Sequence, residues 1–228
     1  MKSYIDSFIN LIYPKSCCGC GNSLLRNEWF LCASCEIDFP LNPEIGLPQN
    51  EIMTVFDGRL PLQTANTFLY FTKKGIAQNL IHQLKYQDRE DLGIFLGKRF
   101  AHLLTPAFST PPDLIIPMPL HPKKEKQRGY NQCNSIAKGL GEVLEIPIAT
   151  DLVERVVANP SQTKLNRAKR WDNVKGIFKV HDYSSLKNKH VLLIDDTLTT
   201  GATLESCGQE LVKNSNVKLS IAALAYAK

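Results

Sequence analysis

Residues 190–204 read His-Val-Leu-Leu-Ile-Asp-Asp-Thr-Leu-Thr-Thr-Gly-Ala-Thr-Leu. The apolar run Val191–Ile194 predicts a buried strand, because polar and turn residues follow it. Gly201 supplies the backbone freedom of a tight turn and permits a ligand to approach the main chain closely. A helical pattern comes next, and the first turn of a helix has unpaired N–H groups that suit a phosphate monoester. The stretch therefore predicts a strand, an anion-binding turn and a helix of an α/β fold.

Two acids, Asp195 and Asp196, directly follow the predicted strand. Open α/β sheets bind their ligands at the carboxyl ends of the strands. Carboxylates accept hydrogen bonds from hydroxyls and suit Mg²⁺. One loop could thus hold a sugar diol with its acids and a sugar phosphate with its amides. The alternative is an ordinary turn with two solvated acids. A Walker loop is excluded, because the Gly-x-x-x-x-Gly-Lys pattern is missing.

The composition is that of a soluble globular protein, with 43% hydrophobic and 21% charged residues among 228. The apolar stretches are far shorter than the roughly 20 residues of a membrane span, so no stable membrane insertion is expected. Residues 2–13 predict a short amphipathic helix, for which packing on its own domain is favoured over a membrane-surface anchor. No signal-peptide pattern follows it, which predicts a cytoplasmic location.

The positive charge is concentrated in one part of the chain. The formal net charge is +5, and residues 123–175 carry 11 Lys and Arg against 6 Asp and Glu. A basic segment of this kind favours a polyanionic ligand, such as a diphosphate, a nucleotide or a nucleic acid, although solvated basic faces are also common.

Five of the seven cysteines fall between residues 17 and 35. Two C-x-x-C pairs at this spacing predict a compact zinc ribbon, and a redox-active thiol pair is the alternative. Nothing nearby could act as a base or hold a substrate, so the zinc would be structural. The four predicted ligands are Cys17, Cys20, Cys32 and Cys35. Cys18 is interpreted as a bystander.

Pro, Gly and Asn are abundant in residues 41–63, which predict a linker with little regular structure. The chain is therefore predicted to have three parts: an N-terminal helix and zinc ribbon over 1–40, the linker over 41–63, and an α/β domain over 64–228. Predicted strands cover 64–72, 113–120, 152–157, 176–180, 191–194 and 219–226, and predicted helices cover 76–86, 91–104, 133–144 and 203–213. This alternation predicts a largely parallel sheet.

Three polar segments could complete an anion site. Arg128 beside Gly129 could hold two oxygens bidentately, with a lone solvated arginine as the alternative. Residues 121–127 are charged, lack periodicity and predict a mobile loop. Residues 158–170 form a long basic stretch of the kind that is either functional or disordered. They are a candidate lid over a phosphate-bearing pocket.

The chain resembles the ComF/GntX family of phosphoribosyltransferase-like proteins almost from end to end. Residues 191–203 look like the phosphoribosyl-diphosphate signature of type I phosphoribosyltransferases: a hydrophobic strand, two acids, two variable residues and Thr-Thr-Gly-x-Thr. The resemblance also rests on the Asp-x-x-x-x-x-Ile-Tyr-Pro start, the two C-x-x-C pairs, Lys85-Tyr86, Pro117-Met118-Pro119-Leu120, Arg128-Gly129-Tyr130-Asn131-Gln132, Gln162, Arg167 and Gly176-Ile177-Phe178.

This resemblance implies a type I phosphoribosyltransferase domain over 64–228, a mostly parallel sheet flanked by helices, beside the small zinc ribbon. It implies that Asp195 and Asp196 hold the ribose hydroxyls and that the loop after them holds the 5′-phosphate. The implied catalytic residues are Asp195, Asp196 and Arg167. The implied substrate-binding residues are Thr199, Thr200, Gly201, Ala202, Thr203, Lys85, Tyr86, Arg128 and Gln162.

The sequence leaves two main functions and a smaller third one open. The first is an enzyme that binds phosphoribosyl diphosphate with Mg²⁺ and transfers the phosphoribosyl group to an unidentified nitrogen acceptor. The second is a weakly catalytic or non-catalytic module that binds nucleotides or single-stranded DNA. Some members of the resembled family are linked to natural transformation, so such a module would assist DNA uptake beside DNA-uptake proteins. Ligand-dependent regulation is a third, smaller possibility.

Overall fold

The computed structural model describes residues 15–157, 176–213 and 216–228. The helices are α1 Ala33–Ile37, α2 Glu51–Thr54, α3 Ile76–Tyr86, α4 Glu90–Leu104, α5 Pro122–Arg128, α6 Gln132–Leu144 and α7 Ala202–Val212. The strands are β1 Thr64–Tyr70, β2 Leu114–Pro117, β3 Val153–Arg155, β4 Phe178–Val180, β5 His190–Leu198 and β6 Lys218–Tyr226. The predicted helix over residues 2–13 lies outside the described residues.

Four strands form a parallel sheet in the order β1-β6-β5-β2. The central strands β5 and β6 are buried almost throughout, because helices and loops cover both faces of a parallel sheet. Strands β3 and β4 pair antiparallel in a separate two-stranded sheet. The predicted α/β class, a mostly parallel sheet flanked by helices, is confirmed.

The sheet order brings distant parts of the sequence to one edge. Strand β2 pairs with β5 through Pro117 and Ile194, so the segment after β2 lies beside the acids after Ile194. Strand β5 continues to Leu198, four residues beyond the predicted end, because Leu198 still pairs with Tyr226 of β6.

The predicted loop over residues 121–127 is instead the short helix α5. The His121 side chain caps it by accepting a hydrogen bond from the Lys123 amide at 3.2 Å. Pro122 occupies its first turn, and Gly129 ends it at φ 87°. Proline at the start and a left-handed glycine at the end favour a helix even where apolar periodicity is absent. The loop prediction was therefore wrong.

The predicted linker, residues 41–63, contains one turn of helix, α2. The Asn50 side chain caps this turn by accepting hydrogen bonds from the amides of Ile52 and Met53. Ile52, Phe56 and Leu60 are buried in the same core cluster as residues of β5 and α7. The segment therefore packs on the sheet at the site end of β5, and the predicted domain limits stay a prediction.

Within the described part of the chain, every helix falls short of the length and apolar character that crossing a bilayer requires.

Candidate functional site

The carboxyl end of β5 holds the two predicted acids in a small cluster. Oxygens of Asp195 and Asp196 and the sulfur of Cys133 lie within 4.8 Å of one another. Cys133 belongs to the first turn of α6, which begins just after the segment leading from β2. The cluster is thus assembled from two elements that are far apart in the sequence.

Asp196 is almost completely buried, with 5% exposure. The Lys85 ammonium lies 3.0 Å from one carboxylate oxygen, and the Gln132 amide donates a hydrogen bond to the other. Lys85 also approaches the Thr197 hydroxyl at 3.4 Å. Lys85 is in the last turn of α3, so the helix end delivers the charge that buried Asp196 requires. The structure thus brings Lys85 and Asp196, both predicted site residues, into contact.

Asp195 occupies a different environment. The Cys133 thiol donates to one of its oxygens at 3.6 Å, and the Asp196 amide donates to the same oxygen at 2.7 Å. Burial, and then the neighbouring Asp196 charge, raise the pKa of Asp195 to about 7. The two acids therefore differ: Asp196 is neutralised by Lys85, while Asp195 changes its charge near neutral pH.

Arg128 is joined to the acids through a residue that the sequence analysis did not place in the site. Its guanidinium donates to the side-chain Oε1 of Gln132 at 2.8 Å, and the Gln132 side-chain nitrogen donates in turn to Asp196. The Arg128 guanidinium also lies 5.8 Å from the ring centre of Tyr86, which is 66% exposed. Gln132 could have been found, because it closes the Arg-Gly-Tyr-Asn-Gln motif.

Further cations face the same region. Burial, followed by the charges of Arg155, Arg128 and Lys85, lowers the pKa of Lys124. Lys124 in α5 and Arg155 in β3 are therefore close enough to Arg128 and Lys85 to add to the positive potential of the site. Such a field favours a polyanion. No sequence motif marked either residue, because their proximity follows from folding.

The loop after the acids surrounds a small hollow at the start of α7. Asp195 and residues 197–204 line this hollow, so the five predicted loop residues Thr199, Thr200, Gly201, Ala202 and Thr203 lie together beside Asp195. Gly201 precedes the first helical residue with φ 76°. The first turn of α7 then offers N–H groups and a partial positive charge to an anion. Gln162 and Arg167 lie outside the described residues.

The four predicted zinc ligands also lie together, near the amino terminus of the described chain. The sulfurs of Cys17, Cys20, Cys32 and Cys35 are all within 4.8 Å of one another. The Cys20 and Cys32 sulfurs are 3.7 Å apart, close to the roughly 3.8 Å expected for sulfurs that lie about 2.3 Å from one tetrahedral zinc.

Backbone hydrogen bonds favour a thiolate at Cys17 in this cluster. The amides of Gly19 and Cys32 each donate to the Cys17 sulfur at 3.3 Å. Burial raises the pKa of Cys17, but the backbone hydrogen bonds outweigh it and bring that pKa to about 7. Cys18 is buried beside Arg89 and is not part of the four-sulfur group. The cluster therefore has the ligands and spacing of a structural zinc site, and zinc itself stays a prediction.

Comparison with known proteins gives relatives over nearly the whole chain. Residues 128–228 match the family described as phosphoribosyl transferase domain. The DNA utilization protein YhgH of Shigella flexneri is 26% identical over 236 residues, which covers 92% of this chain and 96% of that protein. Competence protein F of Haemophilus influenzae is 32% identical over 117 residues, 51% of each chain. Competence protein ComFC of Bacillus subtilis is 26% identical over 144 residues, covering 63% of this chain and 56% of that protein.

Proposed function

Since residues 128–228 match the phosphoribosyl transferase domain family and the chain is similar to competence proteins F and ComFC and to YhgH, we propose that it binds phosphoribosyl diphosphate with Mg²⁺. We further propose that it transfers the phosphoribosyl group to a nitrogen acceptor. The observation that carries this proposal is the end of β5. There Asp195 and Asp196 adjoin an anion-binding helix start on one side and Lys85, Gln132 and Arg128 on the other.

Each part of the site has a role in this reaction. The acids accept hydrogen bonds from the ribose hydroxyls, and the 199–203 loop receives the 5′-phosphate. Arg128, with Lys85 and Lys124 near it, faces the diphosphate. Mg²⁺ bound with the substrate supplies charge neutralisation for the leaving diphosphate.

The chemistry requires positioning more than acid–base work. The bond between C1 and the diphosphate oxygen breaks with its electron pair passing to the diphosphate, and the acceptor nitrogen supplies the pair for the new bond to C1. Fixed cations stabilise the charge that collects on the leaving group. The proposed roles of Arg167 and Gln162, in a hood over the substrate, rest on the resemblance alone.

The four-cysteine cluster is proposed to hold a structural zinc. Four sulfurs close the coordination sphere, so no position is left for a substrate. The zinc would hold the ribbon together and take no part in the transfer.

Calorimetry tests the pocket without knowledge of the acceptor. The wild-type protein should bind phosphoribosyl diphosphate in the presence of Mg²⁺. Asp196→Asn should weaken this binding at least tenfold, since it removes an acceptor for the ribose hydroxyls and leaves Lys85 unpaired. Asp38→Asn, which changes an exposed acid after α1, is the matched control and should bind normally. No binding by the wild type, or equal binding by the two variants, would contradict the proposal.

A non-catalytic module that binds single-stranded DNA is the second candidate. Two exposed aromatic rings beside cations favour it: Trp29, 75% exposed with the Lys15 ammonium 5.3 Å from its ring centre, and Tyr86 with Arg128. Such pairs stack on bases and contact phosphates. Diphosphate release with a panel of nitrogen nucleophiles distinguishes the two functions. Turnover supports the enzyme, whereas its absence together with salt-sensitive retention of single-stranded DNA supports the module.

A further inference from the structure

Arg59 connects the segment before the sheet to the proposed phosphate loop. It follows α2 in the chain, yet its guanidinium donates a hydrogen bond to the Thr200 carbonyl oxygen at 2.9 Å, across 141 residues. The same nitrogen donates to the Val55 carbonyl oxygen at 2.8 Å. One side chain thus joins the turn after α2 to the middle of the 199–203 loop.

The other edge of the guanidinium is paired with Glu205. The Arg59 Nε donates to a Glu205 oxygen at 3.0 Å, and Nη2 donates to the same oxygen. Gln209 donates to the second Glu205 oxygen at 3.2 Å. Side-chain exposure is 35% for Arg59 and 23% for Glu205, so the pair is partly shielded from water.

Glu205 lies in the first turns of α7, whose start would receive the 5′-phosphate. An unpaired carboxylate there would repel a phosphate dianion and would offset the positive potential that the helix start offers to an anion. The Arg59 guanidinium offsets that charge and holds the Thr200 carbonyl oxygen, which fixes the backbone in the middle of the loop.

The packing beneath the loop agrees with this arrangement. Phe56 is buried, and its ring is so close to Gly201 that a Cβ at Gly201 would lie 2.9 Å from the ring edge. The segment 51–60 therefore supports the loop with an aromatic ring and with an arginine.

We propose that Arg59 is a positioning residue for the 5′-phosphate subsite, which it serves by holding the Thr200 carbonyl and by neutralising Glu205. This inference rests on the proposed function of the loop. It assigns Arg59 no contact with the substrate. It predicts that the effect of Arg59 depends on the charge of Glu205.

Calorimetry with two partial ligands tests the inference. Arg59→Met should weaken the binding of ribose 5-phosphate at least tenfold, while the affinity for inorganic diphosphate with Mg²⁺, which would occupy the Arg128 end, should stay within about twofold. Glu205→Gln alone should bind ribose 5-phosphate as well as the wild type or better. The double variant should recover most of the loss, since the charge to be neutralised is gone.

Arg99→Met is the matched control. Arg99 forms a comparable arginine–glutamate pair with Glu36 at 2.8 Å, and this variant should bind both ligands normally. If Arg59→Met does not fold, Arg59→Lys replaces it. Lysine keeps the charge beside Glu205 but cannot make the forked contacts, so it should lose part of the ribose 5-phosphate affinity.

Hydrogen exchange separates this inference from the proposed function. Amides 199–204 should exchange faster in Arg59→Met than in Arg99→Met, whether or not any ligand binds. A wild type that binds neither ligand would refute the proposed function. A wild type that binds ribose 5-phosphate, with Arg59→Met binding it equally well and exchanging at the same rate, would overturn the role of Arg59.

Discussion

Adjacent residues of the same type can acquire different chemistry from their surroundings. Asp195 and Asp196 are neighbours in β5, but Lys85 pairs with Asp196, while Asp195 faces the Cys133 thiol and the Asp196 amide. The result is one carboxylate with a fixed partner and one whose pKa is raised to about 7. In the sequence the two are equivalent acids, so only their environments distinguish them.

The raised pKa of Asp195 predicts a pH-dependent stability. An unfolded aspartate has a pKa of about 3.9, so between roughly pH 4 and pH 7 the folded state binds more protons than the unfolded state. The contribution of Asp195 to the free energy of unfolding therefore falls as pH rises through this window, and the full penalty is present above about pH 7.

Asp195→Asn removes this penalty, because asparagine stays neutral and can still accept both hydrogen bonds. The variant should exceed the wild type in free energy of unfolding by more than about 1 kcal/mol at pH 8, and the difference should shrink towards pH 4. Urea unfolding across this range measures it. Asp38→Asn should show no such trend, and a variant less stable than the wild type at pH 8 would contradict the assignment.

At the scale of elements, the junction between β5 and α7 determines the shape of the proposed phosphate subsite. Gly201 has φ 76° and packs against Phe56. A side chain there would strain the backbone and also displace the aromatic ring. The turn therefore depends both on its own sequence and on the segment beneath it.

Gly201→Ala should lower the free energy of unfolding by about 1–2 kcal/mol through backbone strain alone, with the clash against Phe56 adding to this. It should also weaken ribose 5-phosphate binding at least tenfold, because the loop amides move. Gly21→Ala is the matched control: Gly21 has φ +80° with nothing within 4 Å of the added Cβ. The control should lose free energy of unfolding through backbone strain but should bind the ligand normally. Equal ligand binding by both variants would show that the turn does not shape the subsite.

At the scale of the whole molecule, the four-cysteine cluster is joined to the sheet domain. Asn79 and Gln83 of α3 donate to the carbonyl oxygens of Gly19 and Cys18 at 2.6 and 2.8 Å. Cys17 and Cys35 belong to the same core cluster as residues of α3 and α4. Helix α3 also carries Lys85, so the four-cysteine cluster and the Asp196 site share one element.

Loss of the metal should therefore destabilise more than the ribbon. The purified protein should contain one zinc per chain, and a strong chelator should lower its melting temperature by at least about 5 °C, since metal binding contributes folding free energy. Cys32→Ser should lose the zinc, whereas Cys18→Ala should retain it, because the Cys18 sulfur lies outside the cluster. Elemental analysis and thermal unfolding measure both. A wild type without zinc, or a chelator without effect on melting, would contradict the prediction.

The sequence by itself determined the features that depend on neighbouring residues. The strand, the two acids, the threonine-rich turn and the helix are contiguous, so their local preferences specify the arrangement over 190–212. The two C-x-x-C pairs likewise fix the grouping of four sulfurs through their spacing. The alternation of apolar strands and amphipathic helices was sufficient to predict a parallel sheet.

Only the tertiary structure decided which residues complete the site. Gln132 meets Asp196 across 64 residues, and Arg59 meets Thr200 across 141. Helix α5, which the sequence predicts as a loop, lies beside the acids. Segment 41–63, which the sequence predicts as a linker, lies beside the loop that follows the acids. The physical reason is that these contacts follow from the strand order. Pairing of β2 with β5, and of β5 with β6, brings together segments that are far apart in the sequence. Such a separation leaves no local sequence pattern from which the contact could be predicted.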